Sequence, residues 1–246
     1  MKLRLGLLAV LLAATAMVGC APTEDDYKNW ASENGYVQNP DYAGWASENG
    51  YVQNPDYAGW AEENGYSKLE VLPAARLEGK TTYNTADSGI QIAPKEGSGA
   101  KKLVDYLDRE DVVYIDLRGG ADYNKGHIEG FEWVPHFDII MANGGAKGDQ
   151  LFYTDGEGKI QPRYEESKAI LNAIFPKDRT IFLMCKSGGR VAKTMDVLAA
   201  NGYDMSKIYN VGGYDSADKS YPITAKGSPI GTTTTFNFST LTKIGE

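Results

Sequence analysis

Cys185 is followed by Lys186-Ser187-Gly188-Gly189-Arg190, and a helix is expected to start directly after that loop, over residues 191–201. Two adjacent glycines let a backbone curl until several N–H groups converge on one point beside a helix N-terminus, which makes an anion-binding nest. The same field favours thiolate over thiol. Lys186 and Arg190 add positive charge at the rim. The chemistry is that of a nucleophilic sulfur beside a small bound anion, with Cys185 as nucleophile and Lys186, Ser187, Gly188, Gly189 and Arg190 around the anion. An inert cysteine buried at a strand end is the plainer alternative, and the glycines and cations count against it.

The elements that must position this loop follow from apolar patterning. Residues 111–117 and 180–184 are near-continuous apolar runs, and Ile208, Tyr209, Asn210 and Val211 form a third short strand ended by Gly212-Gly213. Between them the spacing predicts helices over residues 100–109, 163–175 and 191–201, the last closed by Gly202, and a helical turn over residues 121–125. In the second helix Ala169, Ile170, Ala173 and Ile174 are expected to face inward. Strands alternating with helices predict an α/β fold, with a parallel sheet flanked by helices on both faces. Cys185 then lies at the carboxyl end of its strand, where open α/β sheets place their reactive sites.

Several motifs in order resemble the rhodanese family. They are Tyr114-Ile115-Asp116-Leu117-Arg118, then Ala121-Asp122-Tyr123 with Gly126-His127-Ile128-Glu129-Gly130, then the loop from Cys185 to Arg190, then Gly202-Tyr203 and Val211-Gly212-Gly213-Tyr214. Phe131 stands where the family usually has alanine. The resemblance covers residues 100–214 and implies a rhodanese-like sulfurtransferase. Cys185 would take sulfane sulfur from a donor such as thiosulfate as a persulfide and pass it to a thiol or cyanide acceptor. No cofactor beyond that covalent persulfide is implied, and no metal ligands are assigned. Asp116 resembles a structural partner of Arg118, although Arg118 could instead reach the substrate; His127 is implied to be structural, and His136 has no assigned role. Four residues separate Cys185 from Arg190, whereas related cysteine phosphatases carry five. That difference favours sulfur over phosphate or arsenate chemistry. A non-catalytic persulfide-binding or sensing module at the cell envelope is the alternative from another class. The departure from the family is a glycine-rich segment over residues 137–162, read as a surface loop or as a lid that sets the acceptor.

Outside that region the chain reads as an exported protein. A short basic start precedes an apolar run over residues 7–18, too short to span a bilayer, which takes about 20 residues. The run ends Met17-Val18-Gly19-Cys20, which resembles a bacterial lipobox, and predicts lipidation of Cys20 after removal of residues 1–19. The expected location is the cell envelope, outside the cytoplasm, on the periplasmic face or outer membrane in a Gram-negative host. An ordinary signal peptide with Cys20 incidental is the alternative. The only cysteines are Cys20 and Cys185, so a lipidated Cys20 leaves Cys185 without a disulfide partner.

Residues 20–70 hold a repeat with a fifteen-residue period: Tyr27, Tyr42 and Tyr57 align, as do Trp30, Trp45 and Trp60, Gly35, Gly50 and Gly65, and Tyr36, Tyr51 and Tyr66. Each later unit predicts a short helix, with Asn39 as cap, Pro40 at the first position and Gly50 at the end. Stacked aromatic faces would make a spacer, or a strip that contacts cell-wall glycan or peptide. Residues 71–98 read as a connector with one short strand near Ile90, residues 99–220 as the rhodanese-like domain, and residues 221–246 as a Thr- and Gly-rich tail with an edge strand near residues 232–238. The net charge of -8 argues against nucleic acid as a partner, which would call for a basic surface.

Overall fold

The computed structural model describes residues 36–38, 66–68, 71–224 and 237–245. The signal segment, Cys20 and the expected repeat helices lie outside the described residues. The chain divides into two compact units, Met1–Leu72 and Pro73–Glu246. In the first, β1 (Tyr36–Gln38) pairs antiparallel with β2 (Tyr66–Lys68), Tyr36 opposite Lys68 and Gln38 opposite Tyr66. These strands begin right after Gly35 and Gly65, at equivalent positions of the first and last repeat copies. The sequence did not suggest strands there, because three residues are too few to display an alternation.

The second unit is built on a parallel sheet of four strands in the order β11-β10-β5-β7: β5 (Val112–Asp116), β7 (Glu132–Trp133), β10 (Thr180–Cys185) and β11 (Ile208–Gly213). Thr180 pairs with Val112 and Met184 with Asp116, while Cys185 stands opposite Gly213. Successive residues of a strand face opposite sides. One side therefore presents Ile115, Ile181, Leu183 and Cys185 to a core shared with Leu171, Val191, Met195 and Leu198. That side is covered by α2 (Ser167–Ile174) and α3 (Gly189–Ala200). Val191, Met195 and Leu198 form the buried stripe of α3, and burial of each such side chain contributes about 1.5–3 kcal/mol.

The opposite side is covered differently from the two-sided helical wrapping expected. It carries the short α1 (Gly120–Lys125), a 3-10 turn at Leu103–Tyr106, and the pairs β6 (His127–Ile128) with β12 (Ile223–Thr224) and β3 (Ile90–Gln91) with β4 (Lys101–Lys102). Tyr114 meets Phe131 and Phe182 edge-on, with centroids 5.3 and 5.6 Å apart, and Phe182 tilts against Tyr209. The expected helix over residues 100–109 is β4 (Lys101–Lys102) followed by that 3-10 turn. Leu103 and Tyr106 still point inward, since a three-residue spacing eclipses in a 3-10 turn as it nearly does in an α-helix.

α2 is shorter than expected and rotated. Ser167 and Leu171 are buried, whereas Ala169 and Ala173 are exposed and Ile170 and Ile174 half-buried. Ser167 Oγ donates to the Leu151 carbonyl at 2.8 Å and accepts from the Tyr164 N–H at 3.0 Å. Those bonds turn Ser167 inward, and Leu171, one turn on, follows it. The tail also packs: residues 237–245 bond to the start of α2 through Ile244 N–H to Arg163 O and Glu165 N–H to Thr242 O. Phe238 lies in a 3-10 turn and stacks on Tyr164; residues 232–236 of the expected edge strand are outside the described residues. No helix among the described residues is long and apolar enough to cross a membrane.

Residues 73–98, read as a connector, pack with the domain. β3 (Ile90–Gln91) lies beside β11, and the Ile92 N–H donates to the Val211 carbonyl at 2.7 Å. Ile90 and Ile92 are fully buried, and Tyr221 donates its hydroxyl to the Ile92 carbonyl. Truncation of Ile92 to alanine is accordingly expected to destabilise the domain by about 2–5 kcal/mol, read as a lowered midpoint in denaturant unfolding. An unchanged midpoint would make the segment the loose connector that its sequence suggests.

Candidate active site

Cys185 is the last residue of β10, on the helix-covered face, with 1% of its surface exposed. Its Sγ accepts the Gly188 N–H at 3.1 Å. Gly188 has φ 92, in the left-handed region that favours glycine, and is the cap from which α3 starts. Lys186, Ser187 and Gly189 are exposed and Arg190 is half-buried. The loop thus brings the predicted residues together around Cys185, with Gly188 supplying the N–H that touches the sulfur.

The loop rests on a floor that the sequence reading missed. A Cβ on Gly213 would stand 2.4 Å from the Lys186 carbonyl oxygen and 2.5 Å from Ser187 Cα, so the backbone can lie there only because Gly213 has no side chain. Asn210, on β11, is buried, and its carboxamide is fully bonded. Oδ1 accepts from Thr85 Oγ1 and from the Gly212 N–H, both at 3.1 Å. Nδ2 donates to Tyr83 O at 2.7 Å and to Gly188 O at 3.1 Å. The available signal was a lone asparagine inside an apolar strand. Thr85 gave none, since it lies in the segment read as a connector.

Arg118 does not reach the sulfur. Asp116 is opposite Met184, one residue before Cys185, so its side chain leaves the other face of the sheet. Arg118 Nε and Nη2 bind the Asp116 carboxylate at 2.7–3.0 Å, Nη2 also donates to Gly126 O at 2.8 Å, and the guanidinium lies 3.8 Å above the Tyr214 ring. Both residues are buried; burial pushes the Asp116 carboxyl up and the Arg118 bonds oppose it. Of the two readings of Arg118, the structure shows the contacts of the structural one: its guanidinium ties β5 to the residues around α1 and to Tyr214. His127 is buried, stacked on Tyr123 at 3.9 Å with Nδ1 3.2 Å from the Tyr123 carbonyl.

Arg190 is placed by two contacts. Its Nη1 donates to Leu117 O at 3.4 Å, and its guanidinium lies 5.6 Å from the centre of the Phe137 ring. Beneath it is His136, which the sequence left without a role. Thr194 Oγ1 donates to the Arg190 carbonyl at 3.0 Å, so it accepts from His136 Nδ1–H at 2.8 Å. His136 Nε2 is then a buried acceptor with no hydrogen-bond partner among the described residues. The His136–Ile140 segment is one turn of π-helix, a form common near functional sites. The rest of the glycine-rich segment is packed rather than a plain surface loop. Ile139, Ile140, Met141, Leu151 and Phe152 are buried, and β8 (Phe152–Thr154) and β9 (Ile160–Pro162) form a hairpin.

The structure thus places a thiol at the carboxyl end of a central parallel strand of an α/β domain, followed by a tight loop into a helix. Residues 99–218 match the family model of the rhodanese-like domain, and the chain carries a rhodanese-like domain there. A protein of Arabidopsis thaliana, Rhodanese-like domain-containing protein 11, chloroplastic, is 27% identical over 122 residues. That match is 47% of this chain and 41% of the plant protein, so the chain spans less than half of that relative's length. No solved structure matches.

Burial, reinforced by Lys193 and Arg190, pushes the His136 pKa from 6.5 down to about 4. The unfolded chain therefore takes up the proton first as pH falls. Stability is expected to drop as pH falls from about 6.5 to about 4, by roughly 1.4 kcal/mol per unit from this group. His136→Gln should show a flatter fall than the unaltered protein in unfolding measured across that window. Parallel curves for the two would mean that His136 is already protonated in the fold.

Proposed function

We propose that the protein is a sulfurtransferase that moves sulfane sulfur from an anionic donor such as thiosulfate to a thiophilic acceptor. The observation that carries this reading is the Cys185 sulfur at the carboxyl end of β10, bonded to the Gly188 N–H inside a four-residue loop closed by Arg190. The Cys185 thiolate attacks the outer sulfur of thiosulfate; the S–S bond of the donor breaks and sulfite leaves with the electron pair. The thiolate or cyanide acceptor then attacks the terminal sulfur of the Cys185 persulfide, which returns Cys185 as thiolate. This is covalent catalysis in two steps, with ping-pong kinetics. The Gly188 N–H steadies the charged sulfur, and Lys186 and Arg190 attract the anion while Ser187 offers a hydroxyl beside it. The short loop favours sulfur over the larger phosphate or arsenate.

The expected result is thiosulfate:cyanide turnover by the chain, lost in Cys185→Ser, with a mass gain of one sulfur atom on donor treatment that the variant does not show. The mass gain without turnover would mean a sulfur carrier or sensor. Neither signal would remove the thiosulfate reading.

We further propose that the domain works in the cell envelope, anchored by a lipid on Cys20 and held off the membrane by the aromatic repeats. The support is the apolar run ending at Gly19-Cys20 and the fifteen-residue period that follows. Cys20→Ala is expected to move the protein from the detergent phase to the aqueous phase; unchanged partition would remove the anchor.

A further inference from the structure

Gly188 is held on three sides. Its N–H meets the Cys185 sulfur at 3.1 Å, and its carbonyl accepts from Asn210 Nδ2 at 3.1 Å. The third side, where another residue would carry its Cβ, faces the Thr85 hydroxyl. The Thr85 methyl lies against β11 in the same way: a Cβ on Gly212 would stand 2.8 Å from it. Thr85 therefore fills the space that the two glycines leave between the loop and the strand.

The Thr85 hydroxyl also sets the direction of the Asn210 carboxamide. It donates to Asn210 Oδ1 at 3.1 Å, and the Gly212 N–H donates to the same oxygen at 3.1 Å. With two donors at one end, the other end must give, and Nδ2 gives to the carbonyls of Tyr83 and Gly188. A flipped amide would set its NH2 against the Gly212 N–H and its oxygen against two carbonyls. The hydroxyl is one of the two donors that hold the productive direction.

Thr85 is itself fixed to the sheet. It starts a 3-10 turn, Thr85–Asp87, whose buried Asp87 accepts from the Thr82 hydroxyl and lies 3.7 Å from Lys80 Nζ. On either side of the turn the segment is bonded to β11: Arg76 Nη1 donates to Ile208 O at 3.1 Å, and the Ile92 N–H to Val211 O at 2.7 Å. The turn nevertheless lies upstream of residues 99–218, which carry the family likeness.

We propose that Thr85 is a positioning residue for the Cys185 sulfur: through Asn210, and by direct contact with Gly188, it keeps the Gly188 N–H on that sulfur and so favours the thiolate. This role deepens the sulfurtransferase reading, yet it can be measured on the thiol alone.

Thr85→Val removes the hydroxyl and keeps the shape, while Thr85→Ser returns the hydroxyl. In the full chain, solvent exchange of the Gly188 amide proton is expected to quicken about threefold or more in Thr85→Val, on the scale of one hydrogen bond, and to return to its original rate in Thr85→Ser. The Gly202 amide, at the far end of α3, should keep its rate. Alkylation of Cys185 by iodoacetamide, followed from about pH 5 to about pH 10 with Cys185→Ser as blank, should be about threefold slower in Thr85→Val at the acid end and no slower at the alkaline end, where thiols are ionised. Lys186, Arg190, His136, Asp116, Asp215 and Asp87, on the elements around the sulfur, are the same in all three proteins. An unchanged Gly188 exchange rate would overturn the proposal, as would equal acceleration at Gly188 and Gly202, which is general loosening. Where iodoacetamide fails to reach Cys185, exchange decides. Where Thr85→Val fails to fold, Thr85→Ser decides: a Gly188 rate like that of the unaltered chain supports the hydroxyl, and a faster one overturns it. Neither readout needs turnover, so a chain that moves no sulfur but shows both keeps the positioning role and loses only the sulfurtransferase reading.

Discussion

The carboxamide of Asn210 holds the loop after Cys185 in shape. It receives from Thr85 and the Gly212 N–H and gives to the carbonyls of Tyr83 and Gly188, so all four of its strong bonding positions are used. A buried amide with every position filled stabilises one arrangement and penalises the others, because each alternative leaves a polar group unpaired. What it selects here is the left-handed Gly188 from which α3 departs and whose N–H meets the Cys185 sulfur. It also recruits Thr85 and Tyr83, 125 and 127 residues upstream, about as far as a domain extends in sequence, so the loop's geometry is a property of the whole second unit.

The parity of the strands divides the labour around that loop. Cys185 faces the helix-covered core, and the Asp116–Arg118 pair faces the other side, where it closes the end of β5 against α1 and Tyr214. A buried pair of this kind adds little net stability by itself, but loss of one partner leaves an uncompensated charge. Its place in the structure is to lock the strand that runs beside the one ending at Cys185. Arg190 sits on the sulfur's side, steadied by Phe137 and, through Thr194, by His136.

What could be read in the sequence was what repeats or runs. The strands at Val112–Asp116, Thr180–Cys185 and Ile208–Gly213 are continuous apolar stretches and were legible, as was the loop that begins at Cys185. The inward face of α2 was not, because Ala169 and Ala173 fit a buried or an exposed face equally well and Ser167 looked polar. Strands of two residues, such as Ile90–Gln91, are shorter than any period that patterning can detect. The Arg118 ambiguity was one of parity: spacing shows that Asp116 and Arg118 share a face but not that Cys185 occupies the other. The meeting of His136 with Thr194, and of Thr85 with Asn210, joins residues distant in the chain and leaves no local mark.

The pairing of β1 with β2 joins equivalent positions of the outermost repeat copies, with residues 39–65 between them. The intervening chain is bounded by two strands whose own register does not depend on how many copies lie inside. For a flexible chain of that length joining two paired strands, fifteen further residues would add only about 0.4 kcal/mol to the entropic cost of closure, since the term grows with the logarithm of length. As far as chain closure goes, the β1–β2 clasp is therefore nearly indifferent to the number of copies between its strands.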